Sequence, residues 1–204
     1  MLIIAQTKSA STSLLKTLER VTKTLGVPHF SLSSELTTIN KMEWSQREVI
    51  FKKLDSKDLD MISLFHPDRN SPNKSIPKEV LLYAIETKHF IKHYHLDPIP
   101  EHIEVIKQAN VPCVLTSREP IEAHKSFMKV PNIIKEYAQE NLDNVTEYHD
   151  VWKKISDQNT DKIHRVTFDQ LVLGSEQIIK DVCKLWELDI KDNNLVLDVP
   201  LKSK

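Results

Sequence analysis

An α/β fold of three layers, with a central and mainly parallel sheet between two sets of helices, is predicted by three stretches of this 204-residue chain. Each is a short apolar run that ends in a polar turn and passes into a segment of helical periodicity. The first is Leu2 to Ala5, followed by Gln6-Thr7-Lys8-Ser9-Ala10 and then by Leu14, Leu15, Leu18, Val21 and Leu25. The second is Val111 to Thr116, followed by Ser117-Arg118-Glu119 and a helix opening at Pro120. The third is Lys162 to Phe168, followed by the amphipathic stretch Ser175 to Leu188. Strands separated by helices pair in parallel, and the helices then cover both faces of the sheet. Ligands of such folds bind beyond the carboxyl ends of the strands, which is where the first polar loop lies.

The remaining elements follow in chain order. Gly26-Val27-Pro28 closes the first helix with the usual C-terminal signal. His29 to Leu32 is a short strand, and Ser45 to Leu54 a helix whose buried face draws on Trp44, Val49, Ile50 and Leu54. Leu59 to Phe65 is an apolar run bounded by Asp and Pro, which suits a buried strand. His66 to Pro77, rich in Asn, Ser and Pro, is a loop suited to cover a site. Pro77 to Thr87 is a helix, His89 to Leu96 a strand, and Pro98 to Asn110 a helix with Ile99, Ile103 and Ile106 on one face. Pro120 to Lys129 is a helix with proline at its start and Glu122 in its first turn, both favoured there. Pro131 to Gln158 is helical in two pieces that break near Asp143, and the polar end, Asp189 to Lys204, wraps the body. No internal repeat or linker interrupts residues 1–204, so one domain is expected.

Composition narrows the function classes. The chain is 40% hydrophobic and 28% charged with a net charge of −1, so it carries no global basic field for nucleic acid or a membrane surface. No apolar run approaches the ~18 to 20 residues of a membrane span. The first strand starts at once, without a basic segment and a long apolar core before it, and an intracellular, cytoplasmic chain is expected. Cys113 and Cys183 each sit in an apolar run and are expected as buried free thiols. Trp44, Trp152 and Trp186 fall at helical spacing and are expected in the core. The only glycines are Gly26 and Gly174, which excludes both the G-x-x-x-x-G-K-[ST] and G-x-G-x-x-G loops.

Two strand ends nevertheless carry anion chemistry. At the first, a helix start presents free amides, Lys8 adds a charge, and Ser9, Ser11, Thr12 and Ser13 add hydroxyls. An ordinary β-to-α turn with a serine N-cap accounts for the same residues. At the second, Arg118 leaves the strand eight positions before Ser126 on the following helix. A salt bridge to Glu119 or Glu122 is the alternative use of that guanidinium.

With these residues the chain resembles the sulfotransferases that use 3′-phosphoadenosine 5′-phosphosulfate (PAPS). Lys8-Ser9-Ala10-Ser11-Thr12 looks like their [RK]-[ST]-G-[ST]-[ST] loop, with Ala10 in place of glycine. Lys92-His93-Tyr94-His95-Leu96 is similar to their Lys-Thr-His-Leu strand end, with one extra residue. Arg118 and Ser126 match the Arg and Ser that grip the 3′-phosphate, and Val166-Thr167-Phe168-Asp169-Gln170-Leu171 resembles a late strand-to-helix unit, with Asp169-Gln170 in place of Glu-Asp. The motifs fall in the family's order over residues 2–188, while the C-terminal R-K-G-x-x-G segment of cytosolic members is absent.

The resemblance implies a P-loop-like sulfotransferase architecture, PAPS as donor, 3′-phosphoadenosine 5′-phosphate (PAP) as product and no metal. It implies that Lys8 faces the leaving phosphate and that Ser9, Ala10, Ser11, Thr12 and Ser13 cradle the 5′-phosphate. Arg118 and Ser126 then hold the 3′-phosphate. His95, which keeps the family's His-Leu pair, is the first choice of base, and His93 competes with it. Phe168 is a possible neighbour of the adenine; Trp44, Trp152 and Trp186 could each stack it, but their spacing favours the core. The acceptor, a small molecule or carbohydrate, is not legible. Three other readings stay open: a metal enzyme using His89, His93, His95 and Asp97; a non-catalytic nucleotide-binding relative, suggested by Ala10; and a nucleotide kinase, disfavoured by the missing glycine loop.

Overall fold

The structure, a computed structural model, describes residues 1–22, 29–31, 76, 78–86, 91–129, 138–173 and 176–188. Its strands are β1 (Leu2–Ala5), β2 (His29–Ser31), β3 (Ile91–Tyr94), β4 (Cys113–Ser117) and β5 (Ile163–Thr167). Its helices are α1 (Ser11–Thr22), α2 (Lys78–Glu86), α3 (Pro100–Gln108), α4 (Pro120–Phe127), α5 (Ala138–Gln158), α6 (Phe168–Val172) and α7 (Glu176–Leu185). The five strands form one parallel sheet in the order β2-β3-β1-β4-β5. The chain builds to one side of β1, through β2 and β3, and then crosses to β4 and β5 on the other. The ends of β3, β1 and β4 therefore flank the switch point, where such sheets open a crevice.

Alternation along the strands divides the core between two faces. Leu2, Ile4, Cys113, Leu115 and Ile163 pack with α2, α3 and α5 through Leu81, Ile85, Val105, Ile106, Trp152 and Ile155. Ile3, Val114 and Val166 pack with α1 and α7 through Leu14, Leu18, Ile179, Val182 and Trp186. Helices on both faces of a parallel sheet make the predicted three-layer α/β/α fold. Trp152 and Trp186 are core residues, each 1% exposed. Their indole N–H groups donate to the Leu96 and Pro112 carbonyls at 3.0 and 2.9 Å, so the polar end of each ring is satisfied. Cys113 and Cys183 are buried free thiols, and burial pushes them up to about 12 and about 11, which leaves them inert.

Most boundaries differ from expectation by one to three residues. Pro120 stands at the first position of α4, as expected. Pro100 opens α3 two residues after the predicted start, behind Ile99. The long helix does not break near Asp143: α5 runs unbroken from Ala138 to Gln158. Asp143 is exposed and accepts from Gln139 one turn earlier at 2.8 Å, so its carboxylate braces the helix surface instead of capping a new start. Helix α7 ends in a Schellman turn, with Glu187 in the left-handed region (φ 52°) and Leu188 N–H donating to the Cys183 carbonyl at 2.8 Å. The predicted helix Ser45 to Leu54, the strand Leu59 to Phe65, nearly all of the loop His66 to Pro77, the segment 131–137 and Asp189 to Lys204 lie outside the described residues, as do Gly26, Trp44 and His89.

Candidate functional site

Where β1 ends, the chain turns through Gln6 to Ala10 and enters α1. Lys8 and Ala10 both take left-handed backbone, φ 59° and 63°. Ser13 and Leu14 N–H donate to the Ala10 carbonyl at 2.9 and 3.1 Å, so Ala10 itself sits at the helix N-cap and no serine caps it. The Ser9 hydroxyl is buried beneath the loop, bonded to the Gln6 carbonyl at 2.7 Å and to Thr116 Oγ1 at 2.8 Å. Ser9 is thus a strut under the loop, and its amide turns back to Gln6 as well, at 3.3 Å. The amides of Lys8, Ala10, Ser11 and Thr12 donate no hydrogen bond among the described residues, leaving four donors at a helix N-terminus. The Thr12 side chain is exposed, while Ser13 is buried.

Ala10 holds the conformation that glycine adopts without cost. A Cβ at such a φ costs about 1–2 kcal/mol, against about 0.5–1 kcal/mol of extra freedom that glycine has in the unfolded chain. Ala10→Gly is therefore expected to raise the melting temperature by about 2 °C, given the usual 2–4 °C per kcal/mol for a chain of this size. A lowered midpoint in a thermal melt would contradict this.

Arg118 follows the end of β4 and meets the same loop. Its Nη1 donates to the Lys8 carbonyl at 3.2 Å, and its guanidinium carbon sits over Phe168, 3.7 Å from the ring centroid. Its Nε is buried and has no partner among the described residues. Among the described residues Arg118 makes no ion pair, and Glu122 pairs with Lys125 at 2.8 Å. With one nitrogen on Lys8 and one face on Phe168, the edge bearing Nε is the part of the fork left for an acceptor. The peptide of Arg118 is gripped in turn by the buried Gln6 side chain. Arg118 N–H donates to Gln6 Oε1 and Gln6 Nε2 donates to the Arg118 carbonyl, both at 2.8 Å.

The two histidines adopt different positions. His93, on β3, is 3% exposed, and its Nε2 lies 2.7 Å from Ser11 Oγ. Burial first, then the neighbouring His95 and Lys92, pull His93 down to about 3, so it is neutral; its Nδ1 is buried without a partner. His95 lies one residue beyond the strand with an exposed edge, its ring 5.7 Å from that of His93 and set edge-on. Its Nδ1 donates to the Ala5 carbonyl at 2.6 Å. A carbonyl can only accept, so the proton is on Nδ1 and Nε2 keeps a lone pair. Crowding by the protein lowers the His95 pKa, opposed in part by the Ala5 carbonyl and Asp97. Tyr148, whose phenol burial pushes far up, donates to the same Ala5 carbonyl at 3.3 Å.

His102 is a neutral structural histidine. Its Nδ1 donates to the Asp97 carbonyl at 2.7 Å, and its Nε2 accepts from Ile76 N–H at 3.0 Å. Burial lowers its pKa also. For both His93 and His102 the folded state binds the proton more weakly than the unfolded chain. Their contribution is therefore complete above the ordinary value near 6.5 and is lost as pH falls below it. For His93 the loss continues to about pH 3, at about 1.4 kcal/mol per pH unit. Urea midpoints taken from pH 7 to pH 4 are expected to fall steadily, and His93→Gln to flatten the slope; an unchanged slope in that variant would refute the assignment.

A cavity of about 250 Å³ opens at the ends of β4 and β5, lined by Ser117, Arg118, Glu119, Glu122, His149, Thr167, Phe168 and Asp169. Thr167 caps α6 in a reciprocal box with Gln170, which explains the glutamine in that turn. Ser126 does not line this cavity; it is half-buried on α4, one turn beyond Glu122 on the same helix face. The structure thus brings Lys8, Ser11, His93, His95 and Arg118 to one end of three adjacent strands and leaves Ser126 further along α4. Gln6, Thr116 and Tyr148 were given no role in the sequence, and Glu119, Glu122 and Asp169 were named there without a place in a cavity. Only Gln6 carries a signal there, as a polar residue directly after an apolar strand. Among the described residues no three His, Cys, Asp or Glu side chains are grouped to hold a metal, and no helix is long and apolar enough to cross a membrane.

No protein-family model matches the chain, and no curated protein matches it. Among solved structures it is similar to the shikimate kinase of Bacteroides thetaiotaomicron, at 15% identity and a TM-score of 0.45, over 92% of this chain and 97% of that one. A likeness this distant carries no argument about this chain.

Proposed function

We propose that this chain transfers a sulfuryl group from PAPS to a hydroxyl or amine of an acceptor. The observation that carries the proposal is the junction of the two strand ends: Arg118 donates to the carbonyl of Lys8 and, among the described residues, keeps a buried, unpartnered Nε beside a loop with four amides that donate no hydrogen bond. Two groups of donors, one at the loop and one at Arg118, suit a ligand that carries two anionic groups. Lys8 and Arg118 supply the positive charge the donor needs, and Glu119, Glu122 and Asp169, which line the same cavity as Arg118, can accept from the hydroxyls and amine of the nucleoside part.

When bound, PAPS supplies an activated sulfuryl group on a phosphate leaving group. His95 Nε2 takes the proton of the acceptor as its oxygen or nitrogen forms the new bond to sulfur. The bond from sulfur to the bridging phosphate oxygen breaks, and the electron pair stays on that oxygen. Lys8 and the amides of Ala10, Ser11 and Thr12 stabilise the charge that grows there. Ser11, bonded to His93, is held in place at the loop's entry into α1. Ala10 at φ 63° takes left-handed backbone that glycine adopts freely, so the alanine does not prevent the loop from turning at this point.

Calorimetry with PAP, AMP and ADP, followed by transfer of radiolabelled sulfate from PAPS to a panel of carbohydrate and small hydroxyl or amine acceptors, tests the proposal. PAP is expected to bind more tightly than AMP, and label to pass to at least one acceptor class. Absence of PAP binding would overturn it. Binding without transfer to any acceptor would favour a nucleotide-binding protein without this chemistry.

A further inference from the structure

We infer that Gln6 is a positioning residue that sets the distance between the anion loop and Arg118, and so determines how strongly the site distinguishes a nucleotide with two separate phosphate groups from one with a single phosphate. The inference rests on the proposal that Arg118 holds the second phosphate. Strands β1 and β4 pair as far as Ala5 and Thr116, and the last backbone bond between them runs from Gln6 N–H to the Thr116 carbonyl at 3.2 Å. Past that point β1 departs into the loop, while β4 continues one residue further beside β5, with Ser117 opposite Thr167. The Arg118 peptide would then face an edge with no strand. The Gln6 side chain fills it: one end accepts from Arg118 N–H and the other donates to the Arg118 carbonyl, both at 2.8 Å.

The one amide of the Gln6 side chain supplies the acceptor and the donor that two successive peptides of a continued parallel β1 would otherwise present to Arg118. Gln6 itself is 2% exposed, and both bonds are part-buried because Arg118 is only half-buried. Since Gln6 also opens the loop and its carbonyl accepts from Ser9, one residue is tied to the loop through its backbone and to Arg118 through its side chain. An error of an angstrom between two anion subsites is enough to lose a shared ligand.

The test is calorimetry of the full chain with PAP and with AMP, for the wild type, Gln6→Met, Gln6→Glu, Arg118→Ala and the double variant Gln6→Met/Arg118→Ala. Gln6→Met keeps the length and removes both bonds; it is expected to cut PAP affinity roughly tenfold and AMP affinity less than about threefold. Gln6→Glu keeps the bond from Arg118 N–H but sets a carboxylate against the Arg118 carbonyl and beside the anion loop, so it is expected to lose at least as much PAP affinity as Gln6→Met. In the double variant the Gln6 change is expected to add nothing beyond Arg118→Ala, because the positioned group is gone. A wild type with no preference for PAP over AMP refutes the underlying proposal about Arg118. A wild type and an Arg118→Ala variant that behave as expected, beside a glutamine variant that folds and keeps the full preference, refute the role of Gln6 alone.

Discussion

Replacement of His95 by glutamine is expected to lower kcat for sulfuryl transfer by about 10²- to 10⁴-fold, the usual range for a positioned general base. The KM for PAPS should change little, because the role proposed for His95 is toward the acceptor and Gln can keep the bond to the Ala5 carbonyl. The expectation follows from the tautomer: Nδ1–H is committed to Ala5, which leaves Nε2 as the one basic atom of the ring. Burial lowers the His95 pKa, so the base is already free below the ordinary histidine range. The acid limb of kcat/KM against pH is therefore expected below 6.5, with activity rising with pH through it and then level. His93→Gln should leave that limb in place and change acid stability instead, because His93 Nε2 is engaged with Ser11. Full turnover in His95→Gln together with loss of turnover in His93→Gln would exchange the two roles.

Arg118→Ala is expected to weaken PAP binding by roughly 10²-fold or more, with AMP affected far less, so that the preference for the doubly phosphorylated nucleotide disappears. The size follows from charge-assisted hydrogen bonds, worth about 1.5–3 kcal/mol each when a buried fork meets an anion. Arg118→Lys should recover only part of it. An ammonium has no flat face to lie on Phe168 at 3.7 Å, and it cannot present two parallel donors while also bonding the Lys8 carbonyl. Calorimetry with the two nucleotides decides the matter, and an intact preference in the alanine variant would remove Arg118 from the site.

Much of the fold could be read from the sequence because a parallel sheet buried on both faces leaves short apolar runs that no other element explains. Leu2–Ala5 and Cys113–Ser117 are of this kind, and both strands are fully buried. The spacing of Leu14, Leu15 and Leu18, and of Ile178, Ile179 and Val182, likewise marked the helix faces that close over Ile3 and Val114. The unbroken α5 was missed because an aspartate within a helical pattern signals a new start, whereas here it accepts from Gln139 on the helix surface.

For the site, sequence alone determined which residue types stand at the strand ends: a lysine and hydroxyls after β1, two histidines at β3, an arginine after β4. Hydrophobic periodicity locates strand ends, and charged residues placed there have no packing role to explain them. Only the tertiary structure decided how those groups divide their work. The order β2-β3-β1-β4-β5 joins three loops that are far apart in the chain, and hydrogen-bond partners then assign each atom. Ser9 is turned inward as a strut, His93 is tied to Ser11, His95 keeps a free Nε2, and Gln6 supplies the missing peptide beside Arg118. Those partners lie up to 112 residues apart, a separation at which local pattern carries no information about contact.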